Sequence, residues 1–158
     1  LAESITLVQH GLRSWAQEFT PELSVNYDPR LGSVDIVRSE FSRVFINLVS
    51  NAIHALRQKK STLDAAFIPR MDITTRNLGE RVEVRIRDNG TGIPKSHLGR
   101  VFDPFFTTKP PGEGTGLGLS ISHDIIVGNH QGSLRIESRE GEFTEAIIEL
   151  PRHAPRAP

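Results

Sequence analysis

A chain of 158 residues with 37% apolar and 24% charged residues is sized and balanced for one soluble globular domain. Its formal net charge of zero gives no electrostatic footprint for nucleic acid or a membrane surface, and zero cysteines exclude disulfides and thiolate metal sites. No stretch is apolar and long enough to span a bilayer, and the opening residues carry no signal-peptide pattern. Residues 2–18 read as an amphipathic helix ended by Thr20-Pro21, and 23–27 as a short alternating strand. Asp28-Pro29-Arg30-Leu31-Gly32 is a turn, followed by a second short strand over 34–37. A long helix is predicted over 39–59, a loop over 61–69, then two strands over 70–76 and 81–87 separated by Asn77-Leu78-Gly79. The later strand alternates strictly, with Val82, Val84 and Ile86 on one face and Glu83, Arg85 and Arg87 on the other. Repeated Pro and Gly over 90–114 predict a long mobile loop, with one helical turn near 95–101. A helix begun by the glycines that follow runs to about Asn129, strands over 134–138 and 143–150 close the domain, and 152–158 form a disordered tail.

Four segments carry chemistry. Gly114-Thr115-Gly116-Leu117-Gly118-Leu119-Ser120 sets three alternate glycines before an apolar helical pattern. Glycine permits close approach to a ligand, and a helix start directs free amides and positive dipole at it, so the stretch suits a phosphate. The long helix has a buried stripe of Phe41, Val44, Phe45, Leu48, Ala52, Ala55 and Leu56. A second stripe holds Arg43, Asn47, Asn51, His54 and Gln58. Asparagine is a mediocre helix former, and two at i, i+4 fit either a solvated polar face or amide oxygens turned toward a hard cation such as magnesium. Asp88-Asn89-Gly90 could make a hairpin turn, but Gly92, Ile93 and Pro94 do not resume an alternating strand. A carboxylate ending a core strand before two glycines instead suits the exocyclic amine of a base. Finally, Phe102, Phe105 and Phe106 around Pro104, with Thr107, Thr108 and Lys109, fit either a loop anchored on the core or a lid that offers a cation to a terminal phosphate.

In this order and spacing, from about Leu1 to Pro151, the four segments resemble the asparagine, first glycine, phenylalanine and second glycine boxes of the ATP-binding catalytic domain of two-component sensor histidine kinases. The resemblance implies a Bergerat-type α/β two-layer sandwich over residues 1–151. A mixed, mostly antiparallel sheet of about five strands would be covered on one face by three helices, with ATP between helices and lid. It implies magnesium on Asn51 with Asn47 beside it, and the adenine amino group on Asp88, with Gly90, Gly92 and Ile93 shaping the pocket. Phe102, Thr107, Thr108 and Lys109 would belong to the lid. Gly114, Thr115, Gly116, Leu117, Gly118 and Leu119 would make the phosphate-side loop and hinge. His54 stands where many relatives place a basic phosphate contact, and a neutral imidazole would help less and in a pH-dependent way. The terminal Gly-x-Gly-Thr-x-Phe pattern is reduced to Gly141 and Thr144, the latter expected at the base of the adenine pocket.

The family's phosphoacceptor pattern is absent: His123-Asp124 begins one but Val127 fills its third position, so the pair is assigned to structure. His10, His97, His130 and His153 are expected to be ordinary surface histidines. Related chaperone, gyrase and mismatch-repair ATPases carry a water-activating Glu four residues before the magnesium Asn; here that position is Asn47. The resemblance thus implies γ-phosphoryl transfer to a histidine on a separate dimerisation domain, then signalling to a response regulator receiver domain. Two alternatives are a nucleotide-binding module without chemistry and, less favoured for its lack of this phenylalanine box, a serine-kinase regulator of sigma factors. No nucleic-acid partner is expected. The domain is expected to be cytoplasmic and monomeric alone, within a homodimer that is soluble or membrane-anchored.

Overall fold

The computed structural model describes residues 19, 21–62 and 66–153. The helix expected over 2–18 and the end of the tail, 154–158, lie outside them. Five strands form one sheet in the order β1-β2-β3-β5-β4: β1 (Glu22–Asn26), β2 (Arg70–Asn77), β3 (Arg81–Asp88), β4 (Ser133–Arg139) and β5 (Phe143–Pro151). β1 runs parallel to β2 and every other pairing is antiparallel, so the sheet is mixed and mostly antiparallel. Helix α1 (Arg38–Thr62) makes the crossover from β1 to β2, as parallel neighbours require.

α1 forms because its apolar residues recur on one side. Phe41, Val44, Phe45, Leu48, Val49, Ala52, Ile53 and Leu56 are all buried, and Glu40 and Lys59–Lys60 complement the helix dipole at its two ends. Each such side chain contributes roughly 1.5–3 kcal/mol by leaving water. Their partners on the sheet are the inward positions Met71, Ile73, Val82, Val84, Ile86, Ala146, Ile148 and Leu150. Helix α3 (Gly118–Asp124) lies beside α1 over the same face, after a single turn of helix, α2 (Lys95–Leu98). The opposite face is a lattice of ion pairs. Arg85 lies 2.7 Å from Glu83 and 3.2 Å from Glu145, and Ile147, flanked in register by Arg85 and Arg135, is fully buried there.

Three expectations are corrected. Residues 34–37 are not a strand: Val34 and Ile36 do pack on the core, but Asp35 N–H donates to the Arg152 carbonyl and Val37 N–H to His130 Nε2, so no ladder forms. The helix after the glycines runs to Asn129 as expected, regular to Asp124 and widened into a π-helical turn over Ile125–Asn129. His130 causes this, since its backbone N–H and its Nδ1 both reach the Ile125 carbonyl. His130 is accordingly 8% exposed and no surface residue; His97 too packs its ring edge-on against Phe106. Arg152, expected in a disordered tail, donates to the carbonyls of Leu31, Ser33 and Gly79 and to Asn77 Oδ1. His123, assigned to structure from the sequence, has its ring 4.8 Å from that of Phe102.

Candidate functional site

A cavity of about 570 Å³ lies between α1, the ends of the central strands and the loop from Thr91 to Thr115. Its floor follows from strand register. Asp88 on β3 stands opposite Thr144 on β5, which stands opposite Ser138 on β4; one step deeper the row is Ile86, Ala146 and Ile136. Asp88, Thr144, Ile86, Ala146 and Ile136 all line the cavity, and small Ala146 at the centre leaves room for a flat ring over an apolar floor. Thr144 is fixed by its 3.1 Å contact with the Ser138 hydroxyl, which in turn donates to the Phe143 carbonyl.

Asp88 is the single carboxylate on this floor, 4% exposed. Burial pushes its carboxyl up to about 7, against the lowering influence of the Gly90 N–H, which donates to its Oδ1 at 2.8 Å, and of Lys59 and Arg87. Gly90 must be glycine: a Cβ there would lie 2.8 Å from the Ala55 backbone of α1 and 2.6 Å from Asp88 itself.

The wall is the polar stripe of α1. Asn47, Asn51, His54 and Gln58 all face the cavity, while Arg43 lies over the neighbouring groove beside Ser39 and Glu40. Asn47 Nδ2 donates to the Gly118 carbonyl and the Ser122 hydroxyl, both at 3.3 Å, and so straps α1 to α3. Burial, helped by nearby Lys109, lowers the His54 pKa and favours the neutral ring.

The roof is the loop that leads to α3. Phe106, Thr107, Thr108 and Lys109 line it, with Phe106 held between the His97 ring at 5.5 Å and the Arg100 guanidinium at 4.7 Å. Lys109 Nζ donates to Asn51 Oδ1 at 3.4 Å, and burial lowers its pKa. Phe105 and Gly116 both have φ of 67°, and a Cβ on Gly116 would collide with the Phe105 backbone. The two ends of the roof therefore meet in a narrow neck. α3 starts with no side-chain cap, leaving its first amides free at Gly118 and Leu119 on the cavity wall.

Of the residues singled out in the sequence, Asn47, Asn51, His54, Asp88, Gly92, Ile93, Thr107, Thr108, Lys109, Gly114, Thr115, Gly116, Gly118, Leu119 and Thr144 converge on this cavity. Gly90, Phe102 and Leu117 do not line it: Gly90 packs against α1, Phe102 against His123, and Leu117 N–H against the Thr115 hydroxyl. Sequence reasoning missed Ile86, Ala146 and Ile136, although the strict alternation of β3 already points Ile86 the same way as Asp88.

Fold and cavity together define a nucleotide-binding domain closed by a lid. The chain belongs to the histidine kinase-, DNA gyrase B- and HSP90-like ATPase family, whose model matches residues 36–154. It is 42% identical over 152 residues to the two-component sensor PprA of Pseudomonas aeruginosa, covering 96% of this chain and 16% of that protein. It is 32% identical over 134 residues to the sensory histidine kinase/phosphatase NtrB of Rhizobium meliloti, covering 80% of this chain and 34% of that protein. The chain thus spans about a third or less of these relatives' length. The nucleotide-free catalytic domain of the histidine kinase ThkA superposes with a TM-score of 0.79 at 32% identity, over 96% of this chain and 92% of that one. ThkA in complex with the response regulator protein TrrA gives 0.78 at 28% identity, over 99% of this chain and 42% of that one. Among the described residues no helix is long and apolar enough to cross a membrane.

Proposed function

We propose that this domain binds ATP with magnesium and presents the γ-phosphoryl group for transfer to a histidine on a separate, dimerising helical domain. The observation that carries the reading is Asn47. It stands four residues before Asn51, and its amide is engaged in strapping α1 to α3. An amide cannot take a proton from water, so the site holds and orients ATP and does not hydrolyse it rapidly. Catalysis then comes from positioning and charge neutralisation.

In this reading the Asp88 carboxylate accepts from the adenine amino group while the ring lies over Ile86, Ala146 and Ile136. Gly92, Ile93 and Thr144 frame it. Asn51 and Lys109 face the phosphates, with Asn47, His54, Thr107, Thr108, Gly114, Thr115 and the first amides of α3 around them. The donor set fits magnesium: Asn51 offers a hard oxygen that already has a cation beside it, the Lys109 ammonium. Among the described residues no cluster of His, Cys, Asp or Glu provides a protein-only cage, which matches an ion shared with phosphates. When bound, the ion supplies neutralisation of phosphate charge. The phosphorus–oxygen bond to ADP breaks as the acceptor's imidazole nitrogen bonds to phosphorus, the imidazole proton passing to a base on the acceptor domain.

The downstream partner is a response regulator receiver domain, a reading supported by the ThkA–TrrA complex. In the same reading the domain works in the cytoplasm, monomeric alone and dimeric through its acceptor domain. Incubation with that acceptor domain and γ-labelled ATP tests the proposal: an acid-labile, base-stable phosphoprotein is expected. Intact ATP binding without label would make this a nucleotide-sensing module instead.

A further inference from the structure

Next to Asp88, outside the cavity lining, three chain segments converge on one ammonium group. Lys59, in the last turn of α1, donates to the Asn89 carbonyl at 2.8 Å and to the Gly141 carbonyl at 2.9 Å, and lies 4.9 Å from the centre of the Phe67 ring. Asn89 directly follows Asp88, and its own side chain is occupied elsewhere, accepting from Arg70 N–H and donating to the Ile68 carbonyl. Gly141 belongs to the β4–β5 turn, and its N–H donates to the Thr91 carbonyl at 2.6 Å. The turn Asn89–Thr91 is therefore held from α1 through Lys59 and from the hairpin through Gly141, and Lys59 also joins those two supports.

We infer that Lys59 is a positioning residue for base recognition: without touching the ligand, it fixes the turn that aims the Asp88 carboxylate into the cavity. The inference rests on the proposal that Asp88 recognises the adenine amino group. A lysine suits this place because three donors on one flexible stem satisfy two carbonyls from different elements at once. Its charge acts on Asp88 as well, favouring the ionised carboxylate that can accept from an amine. Arg87 on the same strand does likewise. Met71 and Thr144, the partners of Asp88 across the sheet, are uncharged, as is Ala55 of α1, which lies beside the adjoining Gly90. His54 and Lys109 face Asp88 across the cavity.

The test follows the Asp88 side-chain carbon by NMR titration of the nucleotide-free chain, alongside amide hydrogen exchange and ATP calorimetry. In Lys59→Met, Asp88 is expected to titrate about half a unit or more above wild type. Amides of residues 89–92 should exchange faster, and ATP affinity should fall about tenfold. Lys59→Arg should restore most of each. If Lys59→Met does not fold, Lys59→Gln, which keeps a donor but loses the charge, carries the same titration. An unmoved Asp88 titration with unchanged exchange in a folded variant overturns the inference, whatever happens to ATP affinity. Wild-type protein that fails to bind ATP, with both shifts present, overturns the adenine assignment and leaves the positioning of Asp88 standing.

Discussion

The ammonium of Lys109, on the lid, lies 3.4 Å from the side-chain oxygen of Asn51, on the helix wall. A half-buried cation thus sits against the oxygen that a metal ion would take, and burial already lowers its pKa. In the proposed reading lysine and metal ion compete for that oxygen: without the metal the lysine is the cation that meets the phosphates, and when the metal arrives it takes over most of that neutralisation.

Lys109→Met is accordingly expected to weaken ATP binding most when magnesium is chelated, by about tenfold, the worth of one charge-assisted hydrogen bond. With magnesium present the loss should be smaller. Asn51→Ala should do the reverse, abolishing the gain in affinity that magnesium gives while the fold persists. Calorimetry with and without chelator checks both, and equal losses of Lys109→Met under the two conditions would contradict the exchange.

Asp88 makes stability and binding respond oppositely to pH. Its carboxyl titrates near 7 in the folded domain against 3.8 for an ordinary aspartate, raised chiefly by burial. Between these values the folded state holds a proton that the unfolded state has lost, so this group's contribution is full below about pH 4 and gone above about pH 7. Asp88→Asn removes that dependence. The empty variant should gain stability over wild type as pH rises from 4 to 7, by at most about 4 kcal/mol. Nucleotide binding should move the other way: wild-type affinity rises from pH 6 to 8 as the carboxylate ionises, and the variant binds weakly throughout. Denaturant melts and calorimetry across this range measure both, and a wild-type affinity that fell with rising pH would count against the adenine contact.

How much of this was legible in the sequence depends on whether a signal is local. The stripe of α1, the alternation of β3 and the glycine run each declare themselves within a dozen residues, and the cavity gathers Asn51, Asp88, Lys109 and Gly116 as their patterns implied. What escaped is non-local. The floor at Ala146 and Ile136 exists only through β3–β5 and β4–β5 register. His130 reads as polar and exposed, yet it is buried because two backbone groups far apart in sequence, Val37 N–H and the Ile125 carbonyl, converge on its ring. The alternation at 34–37 signalled half-burial correctly but not pairing, since the amides of Asp35 and Val37 go to the Arg152 carbonyl and the His130 ring. Phe102 and Phe106 look equivalent in sequence, and only packing against His123 or His97 separates core anchor from lid.

The neck of the lid is testable at Gly116. A side chain there would be strained at φ of 67° and would press on the Phe105 backbone. Gly116→Ala should therefore force the two ends of the lid apart. The strain costs about 1 kcal/mol locally, and the lid is not part of the main hydrophobic core, so the melting temperature should change little while ATP affinity falls severalfold. A large drop in melting temperature would show instead that the neck supports the core.

In the proposed function, Asn47 separates holding ATP from hydrolysing it. Asn47→Asp keeps the shape but removes both donated hydrogen bonds and turns a carboxylate toward the Gly118 carbonyl and the Ser122 hydroxyl. Ser122 Oγ, which already donates to the Gly118 carbonyl at 2.8 Å, would have to rotate to meet it. The Gly118 carbonyl keeps only repulsion, so the strap between α1 and α3 should weaken by about 1–3 kcal/mol. No gain of ATPase activity is expected, because a carboxylate drawn toward Ser122 is not aimed at water beside the phosphates. Chemical denaturation paired with a phosphate-release assay reads both effects. Unchanged stability together with rapid ATP hydrolysis would show that position 47 faces the reacting phosphate and not α3.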